Sequence, residues 1–193
     1  MTSIFRLAAI AAVAAVAVQL TGCANLAMSP PSANMATTTK LRQAGAAPAA
    51  VGTFKAGAEK SVRDDAINMR GSNSVAAPGG SFAQYLADTL KVELKSAGLL
   101  DPASPAVITG TLTQNDIDAA IGTGTAKLGA RFVVTRAGAV KYDREVVVNG
   151  EWESSFMAAA AIPLAASNYE GLYRKLIAKL VDDAAFRAAL APQ

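Results

Sequence analysis

Apolar side chains recur along this chain with two periods. In the first of the helical stretches, Phe82, Leu86, Leu90 and Leu94 fall every fourth residue, with Tyr85, Thr89 and Glu93 on the same flank and Lys91 and Lys95 elsewhere. That spacing predicts an amphipathic helix opened by Ser81 as N-cap and closed at Gly98. A second stripe of Tyr169, Leu172, Tyr173, Leu176, Leu180 and Val181 predicts a helix from about Ala165 to Leu190, with Arg174, Lys175 and Lys179 off the stripe. Asp182-Asp183 is read as a break before a last segment that packs Phe186 and Leu190.

Two-residue alternation marks the strands. A first short strand is expected over Ala50 to Ala58 and a second over Ala106 to Thr113, after the turn marked by Asp101-Pro102 and Pro105. Between Gly124 and Trp152 the alternation predicts a hairpin, and its register follows from keeping apolar residues on one face. A three-residue loop at 137–139 pairs Val134 with Tyr142, Ala130 with Val146 and Leu128 with Val148, and sets Arg131 opposite Glu145. It also sets Arg144 across from Phe132 on the core face, tolerable if the guanidinium snorkels outward or stacks on the ring. Residues 61–80 read as irregular. The fold class expected is α+β: a two-layer sandwich, mainly an antiparallel sheet of about four strands with two helices on one face, in the order β-α-β-β-β-α.

The amino terminus follows a different rule. Met1 to Arg6 carry one positive charge, and Leu7 to Leu20 form a fourteen-residue apolar run. That length suits the apolar core of a signal peptide, whereas a membrane-spanning helix needs about 20 residues. The run closes on Leu20-Thr21-Gly22-Cys23, which resembles the lipobox of bacterial lipoproteins. The resemblance implies diacylglycerol transfer to the Cys23 thiol and cleavage between Gly22 and Cys23. Ala24 stands where an aspartate would retain an enteric lipoprotein at the inner membrane, so the same resemblance implies an outer-membrane address facing the periplasm. Residues 1–22 are therefore read as signal, 23–48 as a lipidated flexible tether poor in large apolar side chains, and 49–193 as a single α/β sandwich domain.

Composition narrows the chemistry. Eighteen basic against fifteen acidic residues is too weak an imbalance for a nucleic-acid partner. Histidine is absent, which removes the commonest metal ligand and the usual neutral-pH base, and the single cysteine cannot form an internal disulfide. Gly79-Gly80-Ser81-Phe82-Ala83 lacks the histidine partner a nucleophile elbow requires. Gly122-Thr123-Gly124-Thr125-Ala126-Lys127 lacks phosphate-loop spacing and leads into a strand. No Ser-x-x-Lys motif occurs. Carboxylates remain: Asp64-Asp65, Asp116 with Asp118, and Asp182-Asp183 are the acids that could hold a cation or flank a glycosidic bond. Lys91, Lys95, Arg174, Lys175 and Lys179 could meet anionic lipid headgroups, though an exposed helical face has the same composition.

From Phe82 to Leu190 the chain resembles the YajG-type outer-membrane lipoproteins and, more distantly, the lipopolysaccharide-assembly and transporter-auxiliary lipoproteins. The resemblance rests on Phe82-x3-Leu86-x3-Leu90-x3-Leu94-x3-Gly98, on the Lys127 to Val148 hairpin, and on Asp182-x3-Phe186-x3-Leu190. It carries over no catalytic residue, and no metal or cofactor is expected; the more distant relatives bind a β-barrel, a lipid or a transporter component. The expected function is thus a non-enzymatic periplasmic module, joined to the membrane by acyl chains on Cys23, that binds an envelope protein or lipid. The rival is a histidine-free hydrolase acting on peptidoglycan or glycolipid through Asp116 or Asp118.

Overall fold

The computed structural model describes residues 25–192. The signal segment, the Gly22–Cys23 cleavage site and the Cys23 thiol lie outside the described residues. In chain order the elements are β1 (Asn25–Ala27), α1 (Met35–Gln43), β2 (Ala50–Ala56), β3 (Ala66–Arg70), β4 (Asn73–Ala76), α2 (Phe82–Ala97), β5 (Ala106–Asp118), β6 (Gly122–Arg136), β7 (Ala139–Ser154), α3 (Ala158–Asp182) and α4 (Ala184–Ala189). Strands β2, β5, β6 and β7 form one sheet in that order, with β2 parallel to β5 and the remaining pairs antiparallel. Helices α2 and α3 lie side by side on one face of it, which makes the two-layer α+β sandwich that the alternating patterns imply. No helix among the described residues is long and apolar enough to cross a membrane.

The helix boundaries have local causes. Ser81 Oγ accepts from the Gln84 amide at 3.1 Å, and Gly98 closes α2 at φ 76°. Phe82, Leu86, Leu90 and Leu94 are fully buried. Helix α3 begins at Ala158 rather than near Ala165 and runs through Pro163, which forgoes one bond to the carbonyl of the exposed Ala159. Asp183 ends it with extended backbone and caps α4, accepting from the Ala185 amide at 2.8 Å.

The β6–β7 hairpin keeps the expected register by another route. Val134 pairs with Tyr142, Ala130 with Val146, Leu128 with Val148 and Arg131 with Glu145. The loop, however, holds two residues, Ala137 (φ 49°) and Gly138 (φ 80°), and Thr135 pairs with Val140. Lys141 is the extra residue of a bulge that restores the apolar face, while two positive φ values give the turn the twist that hairpins favour. Arg144 does sit across from Phe132, but it escapes the core: its guanidinium lies 5.9 Å from the Tyr142 ring centroid and 3.2 Å from Asp183.

Two further expectations fail. Residues 25–48 are not a loose tether, because β1 pairs in parallel with β4, and α1 packs on α2 and α3. Large apolar residues are few there, yet Met28 and Leu41 reach the core, and hydrogen bonds supply the rest. The Asn34 amide and the Thr38 hydroxyl both donate to the Glu93 carboxylate, at 2.7 and 3.0 Å. The Ser29 amide donates to Glu170 at 2.7 Å, Tyr85 donates to the Ser29 carbonyl at 2.9 Å, and Lys40 pairs with Asp182 at 2.6 Å. Residues 61–80 are not irregular either: β3 and β4 form a hairpin turned at Gly71 (φ 61°), and with β1 make a second sheet in the order β1-β4-β3. Ile67, Met69 and Val75 are its buried residues.

Candidate functional site

Even-numbered residues of β6, and of β7 beyond the Lys141 bulge, face the helices, so the odd-numbered ones form the opposite side of the sheet. In β5 an irregularity between Leu112 and Gln114 changes the parity. Asn115 and Ile117 therefore point into the core, and Asp116 and Asp118 point out. The resulting open face carries half-exposed Val107, Thr109, Thr111, Val133, Thr135 and Val147. Exposed charges surround them, among which Arg131 forms a fork with Asp143 at 2.6 Å, and Glu145 accepts from Thr113 at 2.6 Å. The Arg131 guanidinium beside Asp143 holds that carboxyl below its ordinary range.

Toward the β5–β6 turn this face dips into a shallow depression of about 410 Å³, lined by Asp116, Thr125, Lys127, Asn149 and Glu151. Cross-strand register builds it: Asp116 stands opposite Lys127, Lys127 opposite Asn149, and Thr125 opposite Glu151. Two carboxylates around one ammonium, with an amide and a hydroxyl alongside, suit a polar ligand held by several hydrogen bonds at a solvent-open surface. Among the described residues no three acidic or thiol side chains come together as a metal site.

The other acids named from the sequence cap helix starts or pair with nearby side chains. Asp64 accepts from Ser81 Oγ and from the Ala83 amide, each at 2.8 Å, at the start of α2, so Ser81 is a cap rather than a nucleophile. Asp65 pairs with Arg63 at 3.3 Å, and the Ala66 amide, followed by Arg63, holds its carboxyl low. Asp182 takes Lys40, and Asp183 takes Tyr142 at 3.0 Å together with Arg144. Gly122 to Lys127 form the start of β6. The basic residues do not make one face, since Lys179 donates to the Val147 carbonyl on the outer edge of β7 at 2.9 Å and Lys91 pairs with Asp88 at 3.0 Å.

Sequence patterning missed a polar network inside the core. Tyr169 donates to Asn115 and meets the Tyr173 hydroxyl at 3.0 Å, while Asn115 donates to the Arg63 carbonyl at 2.6 Å. Tyr85 stacks edge-on against Tyr173, with ring centroids 4.9 Å apart. Burial raises all three phenols, Tyr85 to about 12, so they stay protonated and act as donors. Signals for this existed: Tyr169 and Tyr173 occupy core positions of a helical stripe, and a buried phenol needs a partner. Glu93 gave a similar signal, an acid within an otherwise apolar flank.

No protein-family model matches the chain, and no curated protein matches it in sequence. Among solved structures it is similar to protein XCC0632 from Xanthomonas campestris, described by the family model DUF330. That likeness has 14% identity and a TM-score of 0.58, and covers 84% of this chain and 95% of that one. The two proteins share a fold. A proposed lipoprotein from Caulobacter crescentus aligns at 14% identity and a TM-score of 0.45, over 82% of this chain and 99% of its own.

Proposed function

We propose that this chain is a lipid-anchored module of the bacterial envelope, held at the outer membrane by acyl chains on Cys23 and facing the periplasm, that binds an envelope protein or lipid without catalysing a reaction. The observation that carries this reading is the Leu20-Thr21-Gly22-Cys23 box closing a fourteen-residue apolar run. The YajG-like spacing of α2 and of the β6–β7 hairpin supports the same address. The open sheet face supports a binding role, because its carboxylates lie at a solvent-washed surface, whereas acid–base chemistry works best in shielded sites.

Mass spectrometry of the protein extracted from membranes should find Cys23 as the first residue, carrying diacylglycerol, and a C23A variant should keep its leader. An unmodified thiol, or the intact leader on native protein, defeats the anchor. For the binding role, crosslinking in intact envelopes should recover one specific partner that is lost when Asp116, Lys127 and Glu151 are replaced together. The hydrolase reading expects instead a measurable activity that disappears in D116N or D118N with folding preserved.

A further inference from the structure

Three of the six large exposed apolar side chains among the described residues gather at one end of the molecule, while Met35 stands apart at the start of α1. Phe156 and Met157, 76% and 65% exposed, follow the end of β7, and Ile121, 58% exposed, precedes β6. Gly122 pairs with Ser154, so Ile121 and Ser155 leave the same rung of the sheet. The exposed Ala158, Ala159 and Ala160 continue this surface into α3. Val140, 60% exposed, lies at the opposite end of β7, about 50 Å away at 3.3 Å per residue.

The first described residue, Asn25, stands at that same apolar end. Asn25 pairs with Ser74, and Arg70 with Asn73, so the start of β1 stands beside the β3–β4 turn. Arg70 reaches from that turn to the carbonyls of Ser155 and Phe156, at 3.1 and 2.9 Å. Ser74 Oγ holds the Asn25 side chain at 3.0 Å, which fixes the first described residue in the sheet. Cys23 is two residues upstream, and two residues span at most about 7 Å.

Resting on the anchor reading, we propose that Ile121, Phe156 and Met157 form a membrane-contact surface that enters the phospholipid leaflet carrying the Cys23 acyl chains. The covalent reach brings the bilayer to this end, where apolar side chains otherwise face water. Asp118, Glu151 and Glu153 lie within a few rungs on the open face, a fringe that favours the ammonium of zwitterionic headgroups over anionic lipid. The surface acts as a second contact beside the acyl chains and sets the orientation of the domain.

The test uses the full lipidated chain in phosphatidylethanolamine–phosphatidylcholine vesicles, with a nitroxide at M157C or V140C. Cys23 is acylated in this preparation, so the introduced thiol alone takes the label. The label at 157 should be accessible to oxygen and protected several-fold from a water-soluble nickel chelate, and the label at 140 should be open to nickel. Nickel access at 157 equal to that at 140, in protein that floats with the vesicles, overturns the contact and leaves the anchor standing. Protection at 157 from both quenchers means cover by protein and also overturns it. Membrane-extracted protein whose Cys23 proves by mass spectrometry to carry no acyl group overturns the anchor and this contact together.

Discussion

Replacing Glu93 by alanine tests whether polar contacts hold the amino-terminal segment in place. The carboxylate is fully buried and accepts from the Asn34 amide at 2.7 Å and from the buried Thr38 hydroxyl at 3.0 Å. Its removal leaves both donors without a partner, at about 1–3 kcal/mol each, and the relief of a desolvated carboxylate offsets part of that loss. The expected net cost is about 2–4 kcal/mol, a large share of the roughly 5–15 kcal/mol that stabilises a domain. Because the contacts are confined to one side of α1, the loss should fall locally. Native-state hydrogen exchange should show the α1 amides, such as Thr38, exchanging about 30- to 1,000-fold faster. Global denaturation measured in parallel reports how much of the loss spreads. A cost under about 1 kcal/mol, with α1 protection unchanged, would refute the argument that Glu93 docks this segment.

The same group predicts a pH dependence. Desolvation raises the Glu93 carboxyl above its ordinary range, against the pull of Asn34 and Thr38. The folded chain therefore keeps that proton longer than the unfolded one. Stability from this group is fully present below the ordinary carboxylate pKa and is lost as pH rises through the higher folded value, with a slope no steeper than about 1.4 kcal/mol per pH unit. E93Q should lack that fall, and identical pH profiles for the two proteins in urea denaturation contradict it. A137N, which places the favoured Asn-Gly pair in a turn now holding alanine at φ 49°, should raise stability by about 0.5–1 kcal/mol; an unchanged or lower denaturation midpoint counts against the strain. G124A should cost about 1–3 kcal/mol and alter tryptophan emission, because the new methyl would collide with the Trp152 ring. Wild-type emission and stability would mean that the ring is not packed there.

The parts of the fold that the sequence makes legible are those built by burial alone. Phe82, Leu86, Leu90 and Leu94 advertise α2 because each is a large apolar side chain at helical spacing. The β6–β7 register is equally plain, since slipping it by one residue would turn Val134 and Tyr142 to water. What stays hidden is structure made by polar contacts between distant residues. Helix α1 depends on a glutamate more than fifty positions away, and nothing around Thr38 announces that partner. The β3–β4 hairpin is short and lies among serine, asparagine and glycine, so its alternation of Ile67 and Met69 resembles a loop. The open-face depression was half legible: Asp116 and Asp118 are visible as a pair, but the irregularity near Leu112 decides which way they point.

The bonds that seat the first described residues also impose an order of events on folding. Ser29 waits for Glu170, 141 positions later, and Lys40 waits for Asp182, 142 positions later. Strand β1 likewise has no ladder to join until β4 exists. The contacts of the amino-terminal stretch are therefore complete only when nearly the whole polypeptide has been made, although β4 and Glu93 are available by mid-chain, and contacts of such long separation form slowly. An enzyme that modified or trimmed the chain near Cys23 would meet a substrate whose following residues are not yet fully seated throughout that interval. Completion of α3 would then close the interval and seat the remaining amino terminus against the core.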